Sequence, residues 1–176
     1  LTNDIGGLSE LRELVLETNE LTEIPEAIDN LQKLKILNIT SNPLILLPSS
    51  IIELTNLEEL LISKNSIIDL PENIGNLTKL TRIDASYNML DTLPESIGSL
   101  NNLTDLFLEN NQINVLPASV ADLSSLIELK LNNNKLEILP ESFGEFGELI
   151  SLYLNHNQLN TLPENFGNMN NLQRLY

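Results

Sequence analysis

Cysteine and tryptophan are both absent from this chain of 176 residues, and aromatic residues make up only 4% of it. Without cysteine no disulfide framework can form, which excludes the small stapled domains that depend on one. Hydrophobic residues still reach 41%. The core must therefore be built from aliphatic side chains, and the dominance of leucine suggests a repetitive packing arrangement.

Basic residues are also scarce. Nine Lys and Arg stand against 25 Asp and Glu, so the formal net charge is −16. A charge of this sign repels phosphate backbones and anionic membrane surfaces by the same electrostatics that attracts basic proteins to them. The composition therefore argues against nucleic acid as a partner.

Long hydrophobic runs are missing as well. The longest, Leu44 to Leu47, ends at Pro48, whereas a membrane-spanning helix needs roughly 20 apolar residues. No membrane insertion is predicted. The chain begins with Leu1 and shows no charged and then apolar leader, so we expect any targeting peptide to have been removed or never present, and the compartment is left open.

The sequence repeats itself every 23 residues without insertion or deletion. Asparagine recurs at Asn19, Asn42, Asn65, Asn88, Asn111, Asn134 and Asn157, and proline recurs at Pro25, Pro48, Pro71, Pro94, Pro117, Pro140 and Pro163. Seven successive registers at one spacing indicate a stack of equivalent structural units rather than a globule.

Each unit follows the pattern LxxLxLxxNxLxxLPxxIxxLxx. Within LxxLxL the last two apolar positions are two residues apart, which places them on one face of a short strand. After the proline, apolar residues fall three apart, as in Ile74, Leu77 and Leu80, the spacing of a short helical or 3₁₀ turn. One such unit cannot bury its own apolar face, so neighbours must stack and pair their strands into a parallel sheet. We place Pro71 at the first helical position, where the missing N–H costs no hydrogen bond.

The segment LxxLxLxxN resembles the signature of the leucine-rich repeat family, and the resemblance covers the whole chain. The 23-residue form with LP followed by xxIGxL is similar to Ras-group intracellular and related bacterial repeat proteins. The resemblance implies an α/β solenoid, a curved right-handed superhelix. Its parallel β-sheet would line the concave face, and short helical or 3₁₀ turns would line the convex face.

We predict a single array over residues 1–176. It consists of a partial unit at 1–10, seven 23-residue units from 11 to 171 and a partial unit at 172–176. Residues 1–8 match only the second half of a unit, and Tyr176 lies in mid-strand. Because solenoids need polar capping units, we expect the chain to be a fragment of a longer array.

Nothing in the sequence points to catalysis, a cofactor or a metal. His156 is the only histidine, and no activated serine or second ligand accompanies it. The glycines Gly75, Gly98, Gly144 and Gly167 recur at the repeat spacing, so we read them as packing residues and not as a phosphate loop. The asparagine column is interpreted as a structural ladder that bonds buried backbone groups.

Residues that point out of the predicted sheet carry the functional information, because the core makes no demand on them. Three outward columns contain seven acidic and three basic residues, and Glu109 and Glu128 are among the acidic ones. The central column runs Val15, Asn38, Leu61, Asp84, Phe107, Lys130, Tyr153 and Tyr176. With strands about 4.8 Å apart, Leu61, Phe107 and Tyr153 lie roughly 10 Å from one another as exposed anchors framed by charges. The predicted partner-binding residues are Leu61, Arg82, Asp84, Asp105, Phe107, Lys130 and Tyr153.

Three functions remain open at this stage. The first is a protein-interaction module whose concave face binds a protein or peptide that carries some positive charge. The second is carbohydrate or cell-wall recognition by the face around Asn132, Tyr153 and Asn155, with a sugar stacked on Tyr153. The third is the targeting arm of a larger multidomain enzyme whose catalytic part lies outside this chain. The oligomeric state is not predicted.

Two departures from the pattern are expected to loosen the central units. Ala85 stands where other strands have leucine or isoleucine, so the lost volume is either refilled by Met89 or left as a local soft spot. Ile52 stands where four of the five later units have glycine.

Overall fold

The computed structural model describes residues 1–176, which form one parallel sheet whose eight strands follow chain order. Each residue of a strand pairs with the residue 23 positions later, as Leu14 does with Leu37. The strands are β1 (Glu13–Val15), β2 (Ile36–Asn38), β3 (Glu59–Leu61), β4 (Arg82–Asp84), β5 (Asp105–Phe107), β6 (Glu128–Lys130), β7 (Ser151–Tyr153) and β8 (Arg174–Leu175).

A short 3₁₀ helix precedes each strand and lies on the opposite side of the stack. The eight helices are Asn3–Gly7, Glu26–Asn30, Ser49–Glu53, Ile74–Asn76, Glu95–Ser99, Ala118–Asp122, Glu141–Glu145 and Phe166–Asn168. Strands repeat about every 4.8 Å, whereas helical turns need more room per unit, so the stack curves with the sheet on its concave side. The predicted solenoid is confirmed. None of the helices is long and apolar enough to cross a membrane.

The prediction that proline occupies the first helical position is wrong. Pro94 keeps an extended backbone, with ψ of 147°, and the helix begins at Glu95. The proline carbonyl instead accepts the first helical hydrogen bond, as Pro25 does from the Ile28 N–H at 3.0 Å. At Pro71 the same bond reaches Ile74, although the helix begins only at Ile74. Proline is therefore the capping residue of five of the eight helices.

One continuous core of 42 buried hydrophobic residues runs along the whole stack. The helices approach closely because glycine faces the next unit. A Cβ added to Gly75, Gly98 or Gly144 would overlap a backbone carbonyl oxygen of the following turn, that of Ser96, Ser119 or Asn165. At these three positions the backbones of neighbouring units are so close that a side chain would not fit between them.

The asparagine column joins each unit to the one before it. Asn88 donates from Nδ2 to the Ile62 carbonyl of the previous unit at 2.9 Å and to the Ala85 carbonyl of its own at 3.1 Å. Its Oδ1 accepts from the Ile67 N–H of the previous unit at 2.9 Å. The same set of bonds recurs at Asn42, Asn65, Asn111, Asn134 and Asn157. Asn19 bonds only within its own unit.

The residue before each asparagine has a left-handed backbone. The seven are Thr18, Ser41, Lys64, Tyr87, Asn110, Asn133 and His156, with φ between 54° and 58°. Six of these N–H groups, all but that of His156, donate to a carbonyl of the next unit, as Lys64 does to Ser86 at 2.9 Å. This bond satisfies the N–H at the sharp turn after the strand whatever the side chain is, although left-handed backbone disfavours residues such as threonine.

Met89 does not refill the volume lost at Ala85. Ala85 is fully buried, but Met89 is 47% exposed and points away from the core. Its position follows the asparagine and lies in the loop that leaves the sheet, where the chain turns outward. The expectation for Met89 is therefore wrong.

Candidate interaction surface

All seven predicted partner-binding residues lie in or at the ends of strands β3 to β7, on the face of the sheet that is not covered by the core. The structure places Arg82 and Lys130 against Phe107, and Lys130 also lies near Tyr153. Leu61 lies on β3, two strands from Phe107, and is only partly exposed. Asp105 accepts a hydrogen bond from the Thr104 hydroxyl at 2.7 Å, which orients its carboxylate.

Phe107 is not the exposed anchor that its outward position predicted. Only 7% of it is exposed, although it does not belong to the core. The Arg82 guanidinium carbon lies 4.8 Å from the ring centroid, and the Lys130 ammonium lies 4.0 Å from it. Two cations from the neighbouring strands thus cover the ring by cation–π contacts. The anchor is sheltered because these long side chains lie across it.

The tyrosines continue this cluster toward β8. The rings of Tyr153 and Tyr176 stack with their centroids 4.8 Å apart and an interplanar angle of 8°. Lys130 also reaches within 5.7 Å of the Tyr153 ring centroid. We call Arg82, Phe107, Lys130, Tyr153 and Tyr176 the aromatic–cation cluster. It forms one continuous row of π faces and cations across five strands.

Glu109 lies beside this cluster and was not among the predicted site residues. Its Oε2 is buried and has no hydrogen-bond partner. Burial raises the pKa of the Glu109 carboxyl above its ordinary value, and the Asp84 and Glu128 carboxylates act in the same direction while Lys130 opposes them. A carboxylate held in such surroundings is stabilised by any cation that reaches it.

The other polar groups of the face are partly engaged. The Lys130 ammonium lies 3.5 Å from Glu128 Oε1. Asp84 accepts hydrogen bonds from the Ser86 N–H at 3.1 Å and the Ser86 hydroxyl at 2.7 Å. Arg82 Nε is buried without a hydrogen-bond partner. The face therefore presents carboxylates that are held by neighbouring groups. It also has one donor without a partner, Arg82 Nε, and one acceptor without a partner, Glu109 Oε2.

Sequence reasoning placed Glu109, Glu128 and Tyr176 in the outward columns but gave them no role. The signal for Glu109 was present, since it follows Phe107 by two residues and therefore points to the same side as that ring. Its burial depends on how the side chains of Lys130 and Asp84 lie, which spacing alone does not give. No group of three or more His, Cys, Asp or Glu side chains is arranged to hold a metal ion.

Comparison with known proteins gives the family. The sequence profile described as a leucine-rich repeat region matches residues 2–92, and a second profile described as leucine rich repeat matches residues 101–159. Among curated proteins, none matches the sequence.

Three solved structures illustrate the likeness. A leucine-rich repeat protein of Leptospira interrogans is 38% identical with a TM-score of 0.94, over 99% of this chain and 45% of that one. The plant peptide hormone receptor RGFR1, in complex with RGF2, is 28% identical with a TM-score of 0.89, over 99% of this chain and 29% of that one. The ectodomain of the receptor kinase GASSHO1/SCHENGEN3 from Arabidopsis thaliana, in complex with CASPARIAN STRIP INTEGRITY FACTOR 2, is 30% identical with a TM-score of 0.73, over 99% and 25%.

The chain spans less than half the length of each of these proteins. All three align over nearly its whole length, so the likeness extends to every unit of the stack. Because the first profile alone covers more than half of the residues, this protein belongs to the leucine-rich repeat family.

Proposed function

We propose that this protein binds a protein or peptide partner on the concave face of its sheet, at the aromatic–cation cluster, and has no catalytic activity of its own. The single observation that carries the proposal is Phe107 held between Arg82 and Lys130. Aromatic residues and arginine are enriched at the energetic centres of protein interfaces, where they are sheltered from water by their neighbours. The cluster has this composition and this shelter in the free protein.

The charges around the cluster favour a partner segment with lysine or arginine. Glu109 has a buried oxygen with no hydrogen-bond partner, and Asp84 and Glu128 are near enough to raise its pKa further. An ammonium or guanidinium group from a partner would supply the missing hydrogen bond and offset the cost of burying this charge.

The similar structures are consistent with peptide recognition. RGFR1 is a peptide hormone receptor in complex with RGF2, and the GASSHO1/SCHENGEN3 ectodomain is in complex with CASPARIAN STRIP INTEGRITY FACTOR 2. Recognition of a sugar by stacking on Tyr153 receives less support, because Tyr176 stacks on that ring and Lys130 lies near it. The third function, that of a targeting arm in a longer enzyme, stays a prediction. The length of the gene would test it.

A random peptide library displayed on phage tests the proposal. The library is selected on the wild-type protein and counter-selected on the double variant Phe107→Ala, Tyr153→Ala. We expect enriched peptides that contain lysine or arginine and bind the double variant at least about tenfold more weakly, a loss of about 1.4 kcal/mol. Glu109→Gln is expected to weaken the same peptides at neutral pH.

Val15→Ala is the matched control, since Val15 is exposed in the same outward column but lies on β1, far from the cluster. Circular dichroism melts show whether each variant is folded. Unchanged affinity in a folded double variant, or equal loss in Val15→Ala, would contradict the proposal.

A further inference from the structure

A second surface lies on the flank of the solenoid, between the strands and the 3₁₀ helices. Ile45 and Leu46 are adjacent in sequence and each is 56% exposed. The equivalent positions in most other units are polar, for example Asp91 and Thr92 in the fourth unit. Ile68, in the next unit, is also exposed. We call Ile45 and Leu46 the flank ridge.

The ridge has a cleft on each side. The first, of about 280 Å³, is lined by Leu46, Leu47, Ile52, Leu70 and polar residues that include Asp69 and Glu72. The second, of about 410 Å³, lies toward the previous unit and is lined by Ile24, Ile45, Leu46 and Leu47 together with Glu23 and Glu26. Leu46 thus stands between two concave surfaces that are each large enough for a side chain.

The first cleft lies at the departure from the glycine column. Gly75 and Gly98 have no Cβ, so the next helical turn can approach their backbone closely. At the equivalent position Ile52 carries a branched side chain. The residue opposite it is Asn73, 21 positions later, as Ser96 is opposite Gly75. Both Ile52 and Asn73 line the cleft, and the following helix begins only at Ile74. A branched side chain therefore lies at this cleft, where the units at Gly75 and Gly98 have only backbone.

Carboxylates border both clefts. Asp69 and Glu72 lie at one, and Glu23 and Glu26 lie at the other. Glu26 accepts hydrogen bonds from the Ser50 N–H at 2.8 Å and the Ser49 N–H at 3.2 Å. The Ser50 hydroxyl first, and then these N–H groups, hold the pKa of Glu26 below its ordinary value. None of the four has a cation within ion-pair distance, since the three ion pairs of the protein involve Glu10, Glu58 and Glu128.

We infer that the flank ridge and its two clefts bind a partner segment in which apolar side chains are flanked by lysine or arginine. The apolar side chains fill the clefts beside Leu46, and the cations meet the carboxylates on either side. Contact removes two exposed aliphatic side chains from water, which is favourable in proportion to the apolar area buried. The site is separate from the aromatic–cation cluster and does not depend on the function proposed for the concave face.

A library experiment tests this inference. The same random peptide library is selected on the wild-type protein and counter-selected on Leu46→Thr. Thr92 and Thr161 stand at the equivalent position in two other units, so this substitution is compatible with the fold. We expect enriched peptides with an apolar centre next to lysine or arginine, and affinity for Leu46→Thr at least about tenfold lower than for wild type.

Two further variants sharpen the result. Asp69→Asn combined with Glu72→Gln should weaken the same peptides and reduce the effect of salt on their binding. Ile138→Thr is the matched control, because Ile138 is equally exposed at the same position of the sixth unit, where neither cleft is present. Its affinity should equal that of wild type.

The outcomes separate the two surfaces. Peptides that lose affinity in Leu46→Thr but bind the Phe107→Ala, Tyr153→Ala variant normally support the flank site, whether or not the concave face binds anything. The inference is overturned if no peptide prefers wild type over Leu46→Thr, if the enriched peptides carry no basic residue, or if Ile138→Thr loses as much affinity.

Discussion

Single residues hold the units together at the asparagine column. Each amide of this column, from Asn42 onward, bonds backbone groups of two units at once, whereas Asn19 bonds only its own. A buried backbone group that loses its partner costs about 1–3 kcal/mol. The ladder therefore stabilises the interface between units, which hydrophobic contact alone does not orient.

Replacement of Asn88 tests this role. Asn88→Ala removes bonds to Ile62, Ala85 and Ser86 and leaves the Ile67 N–H without an acceptor. We expect the free energy of unfolding to fall by about 3 kcal/mol, measured by urea denaturation. Asn19→Ala is the control and should cost less than about 1 kcal/mol, since Asn19 is exposed. Equal effects of the two substitutions would contradict the ladder.

What could be predicted for individual residues depended on whether their surroundings repeat. The outward position of Phe107 follows from strand spacing, but its burial depends on Arg82 and Lys130 lying across the ring. Side-chain direction between strands is not encoded in a repeat pattern. The left-handed backbone at Lys64 and Tyr87 was likewise hidden, because neither residue type signals it.

Elements in this protein are short, and their packing depends on small side chains where helical turns meet. The glycine column is the clearest case. Gly98 leaves no room for a Cβ beside the Ser119 carbonyl, whereas Gly147 has nothing near the position that a Cβ would take. The same residue type is thus required at one turn and free at another.

A pair of alanine substitutions separates these two cases. Gly98→Ala forces two turns apart and should lower the free energy of unfolding by about 1–3 kcal/mol. Gly147→Ala should be neutral or slightly stabilising, by up to about 1 kcal/mol, since it restricts the unfolded chain. Thermal denaturation followed by circular dichroism measures both. A harmless Gly98→Ala would show that the turns can separate without cost.

The positions of the strands and turns could largely be predicted from the sequence, because the spacing of apolar residues determines them. The LxxLxL segment predicted the strands, and the Ile-x-x-Leu spacing predicted the turns. The first helical residue was misplaced at Pro71, since the missing N–H of proline suits a cap as well as a first position. The absence of glycine at Ile52 marked this position in the sequence. The size of the cleft could not be predicted, because it depends on how the neighbouring turns pack.

Charge acts on the molecule as a whole. Its net charge is −16, and only three ion pairs lie within 4 Å, two of them between exposed side chains. Exposed pairs of this kind contribute little to stability. Repulsion among the carboxylates should therefore dominate the electrostatics of the folded stack.

Salt is expected to stabilise the protein. Raising sodium chloride from low concentration to about 0.5 M shortens the range of the repulsion. We expect Tm to rise by about 2–4 °C, the shift that 1 kcal/mol gives in a chain of this size. Differential scanning calorimetry measures it. A variant with Glu20→Gln and Glu137→Gln should respond less, and a Tm that falls with salt would mean that the ion pairs outweigh the repulsion.

The uninterrupted step of 23 residues between paired strands allows the protein to change in length. Duplication or deletion of one such segment returns every amide and carbonyl to an equivalent neighbour. The sheet and its concave face can thus be lengthened or shortened by about 4.8 Å at a time. Variation in length and variation in surface chemistry are therefore independent in this architecture.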